Sequence, residues 1–131
     1  MNTKLLMSAS AIILAVLGLL LTFLPQEILA YVGSDAATLL PLILQLLGAA
    51  YLGFAILNWM AKGNLIGGIY SRPVAIGNLA HFLISGLALL KAAANTPDSA
   101  ALWVIGGIFI TLALLFGYVT FTHPAKSVAN V

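Results

Sequence analysis

Residues 45–91 read QLLGAAYLGFAILNWMAKGNLIGGIYSRPVAIGNLAHFLISGLALLK, and this stretch decides the fold. Two apolar runs flank a glycine-rich segment that carries Lys62 and Arg72. With its neighbours, each run reaches roughly 20 residues, enough to cross a hydrocarbon core of about 30 Å as an α-helix. The small and polar residues recur at helical spacing. Gly48, Tyr51, Ala55, Asn58 and Lys62 form one stripe, with Gln45 close to it. Gly77, His81, Ser85, Ala88 and Ala92 form another, with Asn78 adjacent. Lipid-facing surfaces favour large apolar side chains, so both stripes are expected to turn toward protein.

Working outward, two further runs complete the chain. The spans are expected at Lys4–Leu24, Leu39–Ala61, Pro73–Ala94 and Pro97–Phe121. This predicts an all-α fold: one membrane domain over residues 1–131, built as an antiparallel four-helix transmembrane bundle. The composition agrees. Mean hydropathy is +1.15, and only 6% of the residues are charged, against about a quarter in soluble domains. The first apolar run is longer than the roughly 7–15 residues of a signal-peptide core, so an uncleaved first helix is expected.

The loop charges alternate. Lys4, Lys62, Arg72 and Lys126 fall at the N-terminus, the second loop and the C-terminus. Glu27, Asp35 and Asp98 fall in the first and third loops. The excess of positive charge on cytoplasmic loops puts both termini in the cytoplasm, and an inner-membrane location is expected. A net charge of +2, thinly spread, argues against nucleic acid as a partner.

The connections carry local signals. Ile28, Leu29, Tyr31 and Val32 are too apolar for a solvated loop and predict a short interfacial helical turn broken at Gly33. Thr38 is the expected N-cap of the second span, with Pro41 in its first turn. Pro73 is expected at the first position of the third span, and Thr96-Pro97-Asp98 reads as the start of the fourth.

Helix packing is expected through small residues. Ser8, Ala11, Ala15, Gly18 and Thr22 form one stripe on the first span. Such stripes let backbones approach closely. Packing inside the protein's own bundle is favoured over dimerisation. Gly106, Gly107 and Thr111 give the fourth span a second small patch. A faint internal repeat accompanies these features. Leu47, Gly48, Ala49 and Tyr51 parallel Ile105, Gly106, Gly107 and Phe109, and Gly18 and Gly86 are similarly placed. A duplicated hairpin would explain it, although apolar helices align easily by chance.

Chemistry is sparse. There is no cysteine, which excludes thiol chemistry and cysteine-ligated metals within the chain. Apart from Asp98 at the mouth of the fourth span, no span contains a carboxylate, so a carboxylate-driven proton pump and Ser–His–Asp catalysis are both disfavoured. One buried histidine is too few for a metal site. Haem held by two histidines of one chain is disfavoured, because His123 lies too shallow to meet His81. The remaining candidate is the polar constellation Gln45, Tyr51, Asn58, Asn78, His81 and Ser85. At about 1.5 Å per residue, Tyr51 and His81 lie about 14–16 Å inside the loop charges. Interhelical hydrogen bonding is the favoured reading. The alternative is a pocket for a quinone, lipid or other amphiphile, with Lys62 and Arg72 attracting an anionic head.

The glycine-rich second span ending Leu57-Asn58-Trp59, the basic loop and the four-span layout resemble small bacterial membrane proteins of the DoxX-like kind. The resemblance covers most of the chain but rests on layout, with no diagnostic motif matched. Some proteins so named are associated with quinol oxidases, so it implies a respiratory or quinone context and assigns no residue a role. The expected function is an accessory or interaction subunit of a larger membrane complex, or a homo-oligomer. No catalysis of its own and no cofactor are expected.

Overall fold

A computed structural model describes residues 2–33, 39–63, 71–96 and 99–122. These are helical with no strand among them. In order the helices are α1 (Thr3–Phe23), α2 (Pro25–Val32), α3 (Leu40–Ala61), α4 (Arg72–Asn95) and α5 (Ala100–Phe121). All but α2 are long and apolar enough to cross a membrane. The chain is therefore all-α and carries the four spans of an integral membrane protein.

The local signals explain most helix ends. Leu24 alone separates α1 from α2, which opens on Pro25. Gly33 closes α2 in the left-handed conformation, at φ 69°, and donates its N–H to Ala30 and Leu29. A glycine there avoids the Cβ clash of that conformation. The expected interfacial turn is thus a two-turn helix, with Pro25 and Leu29 buried. Thr38 lies outside the described residues; α3 begins after Leu39.

The last helix is described from Ala100, after Ser99; the expected start at Pro97 lies outside the described residues. Thr96 ends α4: its N–H reaches the Ala93 carbonyl, and its hydroxyl donates to the Ala92 carbonyl at 2.9 Å. A residue before proline is pushed out of the helical region, and Thr96 is extended, at φ −121° and ψ 116°. Thr96 therefore marks the end of α4. Asp98 also lies outside the described residues.

The chain forms two compact units, Met7–Lys62 and Met1–Leu6 together with Gly63–Val131. The first contains the α1–α3 hairpin. A methyl group on Gly18 would come within 2.8 Å of the Leu52 Cγ and 3.0 Å of the Gly48 carbonyl oxygen. One on Gly48 would strike the Thr22 hydroxyl and come within 2.8 Å of the Gly18 carbonyl. Partner numbers fall on α3 as they rise on α1, so the helices run antiparallel. The Gly18 and Thr22 end of the stripe expected on the first span meets α3 at this crossing.

The second unit contains the α4–α5 hairpin, also antiparallel. Gly86 faces Ile110, Gly106 faces Leu90 and Gly117 faces Leu79. Its core is aromatic. Phe82 stacks on Phe116 at 5.8 Å and meets Phe109 edge-on at 5.2 Å.

The two hairpins repeat one another. On α1, Met7, Ser10, Leu14 and Gly18 are buried; adding 68 to each number gives Ala75, Asn78, Phe82 and Gly86, all buried on α4. On α3, Gly48, Tyr51, Ala55 and Asn58 are buried; adding 58 gives Gly106, Phe109, Ala113 and Phe116, all buried on α5. The crossings obey the same shifts. Gly18 with Leu52 becomes Gly86 with Ile110, and Thr22 with Gly48 becomes Leu90 with Gly106. Since both sequence shifts carry burial and contacts together, the faint repeat is a shared packing register.

Candidate functional site

The polar residues singled out in the sequence are distributed over both units. Gln45, Tyr51 and Asn58 stand on α3, whereas Asn78, His81 and Ser85 stand on α4. Tyr51, Asn58 and Asn78 are buried, the two asparagines completely. His81 and Ser85 are half-buried, and Gln45 is exposed despite its place near the α3 stripe.

Asn58 belongs to a buried chain of hydrogen bonds within its own hairpin. Its Nδ2 donates to the Ser10 hydroxyl at 3.1 Å, and that hydroxyl donates to the Met7 carbonyl at 3.0 Å. The chain ties α3 to α1 one helix end away from the glycine crossing. Ser10 was not singled out in the sequence, because the eye follows the small-residue stripe through Ser8 and Ala11. The signal that could have found it is a hydroxyl at the depth of Asn58 on a neighbouring span. Asn78 donates its Nδ2 to the Val74 carbonyl of its own helix at 2.9 Å.

His81 sits on the aromatic core of the second unit. Its ring meets Phe82 edge-on at 5.2 Å and tilts against Phe109 at 6.0 Å. The sequence reading missed this setting. Phe109 and Phe116 recur two turns apart, a spacing that could have signalled an aromatic face on the last span.

The two cations expected to attract an anionic head stand at helix ends. Lys62 holds its ammonium over the Trp59 ring, 2.9 Å from the centroid. Trp59 is exposed, and cation–π contacts at exposed sites contribute about 0.5–1 kcal/mol. Arg72 is exposed in the first turn of α4. No group of three or more metal-binding side chains occurs among the described residues.

Among the expected packing residues, Ala11, Gly18, Gly48 and Gly106 are buried in their hairpins, and Ser8 and Ala15 are half-buried. Gly107 differs: it points outward, with nothing within 4 Å of the place a side chain would occupy. Gly53 on α3 is equally open. No protein-family model, curated protein or solved structure matches the chain.

Proposed function

We propose that this protein is an accessory or interaction subunit of the membrane, acting through its helix faces and without catalysis of its own. The observation that carries the reading is a pair of small-residue faces, each exposed on its own hairpin among the described residues. Ala49 and Gly53 stand one turn apart on α3, both exposed. Gly107 and Thr111 stand one turn apart on α5, both exposed, at the positions related to them by the repeat. Small residues one turn apart favour close approach of another helix and offer lipid little contact. The buried polar residues support the same reading. Ser10, Asn58 and Asn78 make hydrogen bonds within their own hairpins.

In this reading both termini face the cytoplasm of a bacterial inner membrane, and the partner is a second copy or another membrane protein. The DoxX-like resemblance would place that partner in a respiratory context. Native mass spectrometry of protein extracted from its own membranes in mild detergent tests the proposal. The wild type should carry a second copy or another polypeptide. Gly53→Leu and Gly107→Leu together should release it while helicity is kept. A wild-type chain that runs alone, or a variant that keeps its partner, would overturn the reading. Retention of a discrete small molecule that His81→Leu abolishes would favour amphiphile binding instead.

A further inference from the structure

Each hairpin has an open groove between its two spanning helices, and the two grooves occupy equivalent positions within their hairpins. In the α1–α3 hairpin the groove is lined by Ala11, Ile12, Ala15, Leu52, Ala55, Ile56 and Trp59, with a volume of about 350 Å³. The repeat shifts turn all of these but Ile12 into Leu79, Leu83, Ile110, Ala113, Leu114 and Gly117. All six line the groove of the α4–α5 hairpin, whose volume is about 490 Å³. One substitution accounts for much of the difference. Where the first groove has the Trp59 indole, the second has Gly117, and it continues along Tyr118 and Phe121 to Thr122.

We propose that each groove seats one acyl chain of a membrane phospholipid, so that the protein carries two equivalent lipid sites, one short and one long. Three observations select this occupant. The lining is almost wholly apolar, and both grooves lie in helices long enough to span the membrane. Lipid is the solvent at such a surface, and a fixed recess there is filled by hydrocarbon. The long groove runs from Ile110 to Phe121, which at about 1.5 Å per residue is about 16 Å. Half of a hydrocarbon core of about 30 Å is about 15 Å, the reach of one leaflet's chains. The end of each groove is also built for a headgroup boundary. Trp59 carries the Lys62 ammonium on its ring at the last turn of α3. Tyr118 and Thr122 stand at the last turn of α5. Aromatic rings and lysine concentrate at that boundary, and the Lys62 ammonium sits where a lipid phosphate would lie.

The test uses the full-length protein, delipidated in mild detergent and titrated with palmitoyl-oleoyl phosphatidylglycerol under native mass spectrometry. Two bound lipids should appear on the wild type before further, unresolved adducts. Gly117→Trp should remove one of them: in the short groove the indole lies among Ala11 and Ala15, whereas here it would share the groove with Leu79 and Leu83 and fill it. A first carbon on Gly117 meets only Leu79, at an ordinary 3.5 Å, so the fold should accept it. Gly117→Leu is the milder variant and should weaken the same lipid several-fold. Ala15→Phe should remove the second lipid independently. Equal lipid counts in the wild type and both Gly117 variants would overturn the proposal. So would a Gly117→Trp chain that keeps both lipids and loses a protein partner, which would assign the groove to a helix.

Discussion

The two hairpins share a register but close it with different chemistry. In α1–α3 the crossing is backbone against backbone, with Gly18 and Gly48 each limited by the other's carbonyl. Farther along, an asparagine and a serine bond across the pair. In α4–α5 Gly106 faces the side chains of Leu90 and Leu89, and Gly86 faces the Ile110 side chain and backbone nitrogen; an aromatic stack stands where the Ser10–Asn58 bond would be. Phe116 holds the place of Asn58. The comparison shows that one helix-pair register can be closed by a polar tie or by ring packing. Association in lipid has no hydrophobic drive, so van der Waals contact and hydrogen bonds are the available forces. Each hairpin draws more heavily on one of them.

The sharpest way to break the comparison is at the equivalent positions Phe116 and Asn58. Phe116→Ala removes a fully buried ring and should cost about 3–5 kcal/mol, the usual range for emptying a buried aromatic site. Unfolding of the helices in a denaturing detergent titration would measure it. Asn58→Ala should cost less, since the tie it breaks is worth about 0.6 kcal/mol on average and up to about 1.7. Equal losses would mean that the aromatic stack contributes little beyond the shared register.

The glycine crossings give the next largest contrast. Gly48→Ala should destabilise by about 1–3 kcal/mol, as overpacking against groups that cannot move does. The obstructing atoms there include backbone, the Gly18 carbonyl and the Thr22 nitrogen. Gly106→Ala meets the Leu90 side-chain tip first, with the fixed Leu89 Cβ farther off at 3.3 Å, and should cost less, about 1 kcal/mol, because that tip can turn. The same denaturation measurement ranks the two, and a reversed order would place the tight crossing in the wrong hairpin.

Thr22 provides the smallest and most specific effect. Among the described residues its hydroxyl is buried without a hydrogen-bond partner. Thr22→Val should therefore be neutral or stabilising by up to about 1 kcal/mol, since an unsatisfied buried hydroxyl contributes no bond and has lost its hydration. A clear loss of stability would reveal a bond that the hydroxyl makes after all.

The spans were legible because hydropathy and length are summed over some twenty residues, so no single residue decides them. The stripe through Ala11 and Gly18 was legible for a related reason: helical spacing fixes which residues share a face. Local punctuation was less reliable. Thr96 carries the same letter whether it opens a helix or closes one, and its hydroxyl's bond to the Ala92 carbonyl places it at the close of α4. Gln45 and Gly107 show the limit of stripes. Each lies within about one residue's rotation of a buried position, roughly 100° on a helix, and that rotation turns it outward. The Trp59–Gly117 equivalence could not be read before the two shifts were known, because the letters themselves share nothing.

The packing register also has a direction in time. The α1–α3 crossing and its Ser10–Asn58 tie use nothing beyond Lys62, a residue made before either helix of the second unit. Domains generally fold as units in the order of synthesis. The first hairpin can therefore close while α4 and α5 are still untranslated, and the chain enters its membrane as two successive couples instead of four separate helices awaiting assembly.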